Sequence, residues 1–168
     1  MKNLIVLCVI ALFVSCDDGD LQIETLDFDS TGISTCESTI TTSTTVFFKL
    51  NAKESLILEL QSGVLKNEAS SDILTSLVPS QSKITYRVFS DNISSNYFCD
   101  AIPPTTPLVI EEIEAEDGEV LITTVLAEGS TDTYEHTIEL SGITFITAQN
   151  ERITDLQINE FGTVTTSE

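Results

Sequence analysis

The 168-residue chain has no tryptophan, a single histidine and only four prolines and four cysteines. A lone histidine, His136, and the lack of any Cys-x-x-Cys pair leave it without the ligand spacing usual for structural zinc. There is no Gly-x-Ser-x-Gly elbow, no His-Glu-x-x-His run and no Gly-rich phosphate loop, so the common hydrolase, zinc-protease and nucleotide signatures are missing. Basic residues are scarce too. Seven Lys and Arg stand against 27 Asp and Glu, for a net charge of -20. A surface that binds nucleic acid through its phosphates cannot be assembled from so few cations.

What is present is strand material: 23 threonines, 18 isoleucines and 11 valines. Hydrophobic residues make up 41% of the chain, enough for one domain with a core of its own. Short alternating segments recur. Leu21, Ile23, Leu26 and Phe28 fall in a run with a one-residue slip, and Val46 to Leu50 is short and apolar. Leu56, Leu58 and Leu60 share one face, as do Ile84, Tyr86 and Val88. Val120 to Leu126 is nearly continuous and follows the turn signal Asp117-Gly118. Tyr134, His136, Ile138 and Leu140 alternate, Ser141-Gly142 interrupts, and Ile143 and Phe145 resume. Ile153, Leu156 and Ile158 form a last strand before Phe161-Gly162. Residues 71–78, stopped by Pro79, fit a two-turn helix or a strand, and the prolines at 103, 104 and 107 stiffen an extended crossover. The expectation is an all-β domain, an antiparallel sandwich of immunoglobulin-like or jelly-roll type. The Cys…Trp…Cys pattern of antibody domains is missing.

The N-terminus carries an address. Lys2 precedes an uncharged apolar run from Leu4 to Val14, too short for a permanent membrane span and suited to a signal peptide. The run ends Phe13-Val14-Ser15-Cys16, which resembles the lipobox of bacterial lipoproteins, with Phe13 where Leu is usual. The resemblance implies cleavage before Cys16 and lipid on its thiol. Cys16-Asp17-Asp18-Gly19-Asp20 in turn resembles the acidic export tag of Bacteroidetes surface lipoproteins. The whole texture is similar to the small lipoproteins of flavobacteria. The expected organisation is a signal peptide over 1–15, a lipidated cysteine and acidic tether over 16–20, and a single β-sandwich over 21–168. The resemblance implies an outer-membrane location, displayed at the cell surface, with the membrane as a partner through the lipid anchor. Two or more acyl chains make such an anchor stable. Asp29-Ser30-Thr31 also resembles a Bacteroidetes O-glycosylation acceptor, which singles out Ser30.

Cys8 leaves with the signal peptide and Cys16 takes the lipid, so Cys36 and Cys99 remain. In an exported protein such a pair points to a disulfide; two free thiols or half of a metal site are the rival readings.

Chemistry is thinly marked. His136 would need an orienting carboxylate and a nucleophile to act as a base, and an ordinary half-buried strand residue is the plainer reading. Glu111, Glu112, Glu114, Glu116, Asp117 and Glu119 form the densest acidic run. It reads as a solvated edge strand leading into a hairpin turn at Asp117-Gly118, with surface calcium as the other reading. Tyr86, Tyr97 and Tyr134 could serve a glycan platform or the core equally well. The expectation is a non-enzymatic binding module or accessory component of an envelope assembly, with a protein or glycan partner and no catalytic residues, metal or other cofactor. A surface hydrolase whose carboxylates converge in the fold and a purely structural envelope protein are the alternatives.

Overall fold

A computed structural model describes Leu26, Phe28, residues 30–154 and residues 159–168. Eight strands and one short helix follow in order: β1 (Val46–Asn51), β2 (Glu54–Glu59), β3 (Leu74–Val78), β4 (Lys83–Phe89), α1 (Asn96–Cys99), β5 (Val109–Leu126), β6 (Thr133–Ile146), β7 (Arg152–Thr154) and β8 (Asn159–Ser167). All strand pairs are antiparallel, along the path β1-β2-β4-β5-β6-β7, with β3 also on β5 and β8 also on β6. The result is an open sheet that curls around one core. Its inward faces are the expected alternating ones: Leu56 and Leu58, Ile84 and Tyr86, Val120 and Ile122, Ile138 and Leu140. Phe47, Phe145 and Phe161 supply the bulk that tryptophan would elsewhere.

Several expectations need correcting. Of the run from Leu21 to Phe28, Leu21 and Ile23 lie outside the described residues, while Leu26 and Phe28 belong to no strand; Phe28 is instead a buried plug, with its ring edge-on to Tyr86. Residues 71–78 resolve to a strand over Leu74–Val78, where Ser76 and Val78 face inward while Thr75 and Leu77 face out. That alternation is the strand's period of two, and no helix would give it. Ser141-Gly142 does not end a strand, because β6 runs through it. Nor does Phe161-Gly162 close the fold, since β8 continues to Ser167. Gly162 is needed there: a Cβ would lie 3.0 Å from Cβ of Ile33.

The Asp117-Gly118 signal is the most instructive correction. No hairpin forms; β5 continues through both residues, and its register against β6 shifts on either side of Asp117. Gly118 has φ +129, and a Cβ on it would sit 2.9 Å from Cα of Ile143. The pair makes a bulge, which bends a strand and strengthens its twist. The actual β5–β6 turn lies at residues 127–132, where Ala127 and Ser130 supply the closing backbone bonds.

On the outward face of β1, β2 and β4, the residues Phe48, Ile57 and Phe89 are buried, Phe48 and Phe89 beneath α1. Phe98 stacks on Phe48 at 4.7 Å, and Tyr97 meets Phe89 edge-on at 5.0 Å. The Cys36–Cys99 disulfide, with Cα atoms 5.0 Å apart, ties the end of α1 to the N-terminal arm. That arm lies along β1, where Ser34 and Phe48 exchange backbone hydrogen bonds.

Candidate functional site

A groove of about 1430 Å³ lies beside the first half of β5. Strand register builds it. Glu54, Val88 and Glu111 form one rank across β2, β4 and β5, and Leu56, Tyr86 and Ile113 form the next. Because cross-strand partners share a face, these residues give the groove an apolar floor of Tyr86, Val88, Ile113 and Ala115 between half-buried Glu54 and Glu111. The opposite face of the same β5 segment presents Ile110, Glu112, Glu114 and Glu116 to solvent. The β6–β7 turn, residues 147–151, forms the far wall and adds Glu151.

The groove is electrostatically one-sided. Glu54, Glu111 and Glu151 face it, Glu112, Glu114 and Glu116 stand on the outer face of the β5 segment that bounds it, and no lysine or arginine lines it. Glu112 bonds to Arg87 across the β4–β5 pair on the outer face. Glu54 accepts a hydrogen bond from the Tyr86 hydroxyl, which fixes it at the groove's edge. The acidic run is therefore only partly the solvated edge that its charge suggests. From Ala115 onward β5 pairs with β6, and over Gly118–Ile122 it is an interior strand, between β3 and β6. Among the described residues, no group of three or more His, Cys, Asp or Glu side chains is placed to hold a metal ion, so surface calcium gains no support from this geometry.

His136 lies elsewhere, fully buried in the β5–β6–β8 part of the sheet. Its Nδ1 is 2.8 Å from the Thr124 hydroxyl and its Nε2 2.8 Å from the Thr166 hydroxyl. Thr166 donates to Oδ1 of Asn67 at 2.6 Å, so it must accept from His136. The imidazole is accordingly the neutral Nε2–H form, with Nδ1 accepting from Thr124. Burial lowers its pKa from the ordinary value. Neither a carboxylate nor a nucleophile other than threonine is bonded to it. The smaller depression nearby, about 310 Å³ and lined by residues such as Ser70, Asp72 and Thr124, does not reach His136. This histidine ties strands together.

Other marked residues scatter. Cys16, Asp17, Asp18 and Asp20 lie outside the described residues, as do Cys8 and Asp29. Ser30 is exposed in a turn closed by bonds from Thr31 to the Phe28 carbonyl. Tyr86 is buried, and Tyr97 and Tyr134 are half-buried, so none is an exposed platform. Among the described residues no helix is long and apolar enough to cross a membrane. Glu54 and the 147–151 wall escaped the sequence reading because only strand register brings them to the acidic run. Comparison with protein families, with curated proteins and with solved structures finds no match to this chain.

Proposed function

We propose that the chain is a non-catalytic binding module or accessory component of an envelope assembly, lipid-anchored to the outer membrane and displayed at the cell surface. Its ligand site, in this reading, is the groove beside β5. The observation that carries the proposal is an open concavity whose apolar floor is flanked by Glu54, Glu111 and Glu151 and bounded by an edge strand that carries Glu112, Glu114 and Glu116 on its outer face. A protein partner suits it better than a glycan, since no exposed tyrosine offers a stacking face. The anchor rests on the sequence: Cys16 after Ser15 as the lipid acceptor, with Asp17, Asp18 and Asp20 as tether and tag. The finer architecture belongs to the same proposal. Strands on both sides of the β5 bend contribute to one core, which supports a sandwich of immunoglobulin-like or jelly-roll type. Glycosylation of Ser30 is supported by its exposed turn.

The test is a capture experiment from the protein's own membranes, wild type against Glu111→Lys/Glu114→Lys. Loss of a specific partner with the variant supports the reading, and an identical set of partners from both removes the groove from it. Mass spectrometry of the extracted chain should find an acylated peptide beginning at Cys16; an intact N-terminus at Met1 would refute the anchor.

One observation favours a second reading, a surface hydrolase. Glu54 and Glu111 flank Val88 in a single rank, a two-strand separation of roughly 10 Å between backbones. Paired carboxylates of inverting glycosidases stand about 6.5–9.5 Å apart. Glycan cleavage that disappears in both Glu54→Gln and Glu111→Gln would establish it.

A further inference from the structure

The residues Val109–Glu114 carry β4 on one side and, among the described residues, no strand on the other. Pairing with β6 starts only at Ala115. At Ile146 the β6 chain turns off through residues 147–151 and returns as β7 on the far side of β6. The groove lies along this open edge. An unpaired edge leaves backbone N–H and C=O groups facing outward, a ready template for another strand.

We propose that the edge is completed by strand addition: an extended segment of a partner protein, with basic residues at alternate positions, pairs with Val109–Glu114. The inference rests on the groove being the ligand site. Side chains on one face of neighbouring strands lie about 5 Å apart, so the two faces of β5 set the partner's sequence. The outer face offers Glu112 and Glu114 and calls for Lys or Arg. The concave face offers Glu111 and Ile113, and calls for a polar residue against the one and an apolar residue against the other. The sheet already contains one half of this pattern, for Arg87 of β4 is the register partner of Glu112 and bonds to it. The incoming strand repeats that match on the other side of β5. Charge argues against the two occupants nearest to hand. A second copy brings a net charge of -20, and residues 16–25 of the same chain hold Asp17, Asp18, Asp20 and Glu24 with no base. The same carboxylates that block casual edge pairing thus select a cationic strand.

The test uses the full-length chain in detergent and a short fluorescent peptide, Lys-Val-Lys-Thr-Lys-Val-Lys, at low salt. Three comparisons accompany it: the same peptide N-methylated at alternate residues, a Glu-for-Lys peptide, and spermine. The parent peptide should bind and slow amide exchange within 109–114. N-methylation, which removes ladder donors and keeps the charge, should weaken binding by about tenfold or more. Glu111→Gln/Glu114→Gln should weaken it several-fold. Equal binding of the methylated peptide, or protection only outside 109–114, overturns strand addition while leaving a cation-binding groove. Binding of the Glu peptide as tight as the parent overturns the charge selection. If neither peptide nor spermine binds, the groove reading falls as well.

Discussion

Reducing the Cys36–Cys99 bridge should cost the domain most of its spare stability. The bridge joins residues 63 apart, and the chain-entropy relation for a loop of that size gives about 4 kcal/mol at 25 °C. Native domains hold about 5–15 kcal/mol in all. Both cysteines are exposed, so a reductant can reach the bridge in the folded protein. Once it is cut, α1 relies on contacts such as the packing of Tyr97 and Phe98 on Phe48 and Phe89, and four residues are too few to be helical alone. The assay is urea unfolding of the oxidised protein, the reduced protein and Cys36→Ser/Cys99→Ser. For a domain of this length the loss corresponds to a fall of roughly 8–16 °C in Tm. The urea slope should also rise, because the uncrosslinked denatured chain is more expanded. A shift under about 1 kcal/mol, with an unchanged slope, would refute the reasoning.

Three further outcomes follow from the buried residues. The lowered pKa of His136 means the unfolded chain takes up its proton first, so its contribution is present above about pH 6.5 and is lost as pH falls toward the folded value; chemical denaturation of wild type and His136→Gln across that range should show the wild type losing its advantage on the acid side. Gly118→Ala should destabilise by about 1–3 kcal/mol, from the positive φ and the approach to Ile143, measured as a lowered urea midpoint. The Ser55 hydroxyl is buried without a hydrogen-bond partner, so Ser55→Ala should leave Tm unchanged or raise it, by up to about 1 kcal/mol of stability.

The strands were legible wherever alternation was strict. Leu56 and Leu58, Ile84 and Tyr86, and Ile138 and Leu140 were read to the correct face because a half-buried strand writes its period of two into the sequence. The Cys36–Cys99 pairing followed from elimination and compartment, and the structure contains it. Illegible features depend on partners distant in sequence. Phe28 reads as part of a strand, yet it is buried against Tyr86, 58 positions on. The outward faces of β1 and β4 break the inside-outside rule, since Phe48 and Phe89 are covered by a helix too short to leave a periodic trace. Of the groove, only the run from Glu111 to Glu116 could be seen; Glu54 and residues 147–151 reach it through register alone.

The Asp117-Gly118 pair shows why a local signal can be right about chemistry and wrong about topology. An Asp-Gly pair in a strand pattern supplies a residue at home with positive φ, and a tight turn and a bulge both need one. Local sequence cannot choose between them. The choice falls to the neighbours: β3 pairs across Gly118 on one side while β6 passes close enough for Ile143 to exclude a Cβ on the other. Held on both sides, β5 cannot reverse and must bend. Two register shifts within five residues then turn its first half away from β6, whose pairing with β5 ends at Phe145. The open edge of Val109–Glu114 is the consequence of that divergence. The acidic groove and the bend are therefore one feature, with Gly118 as its pivot.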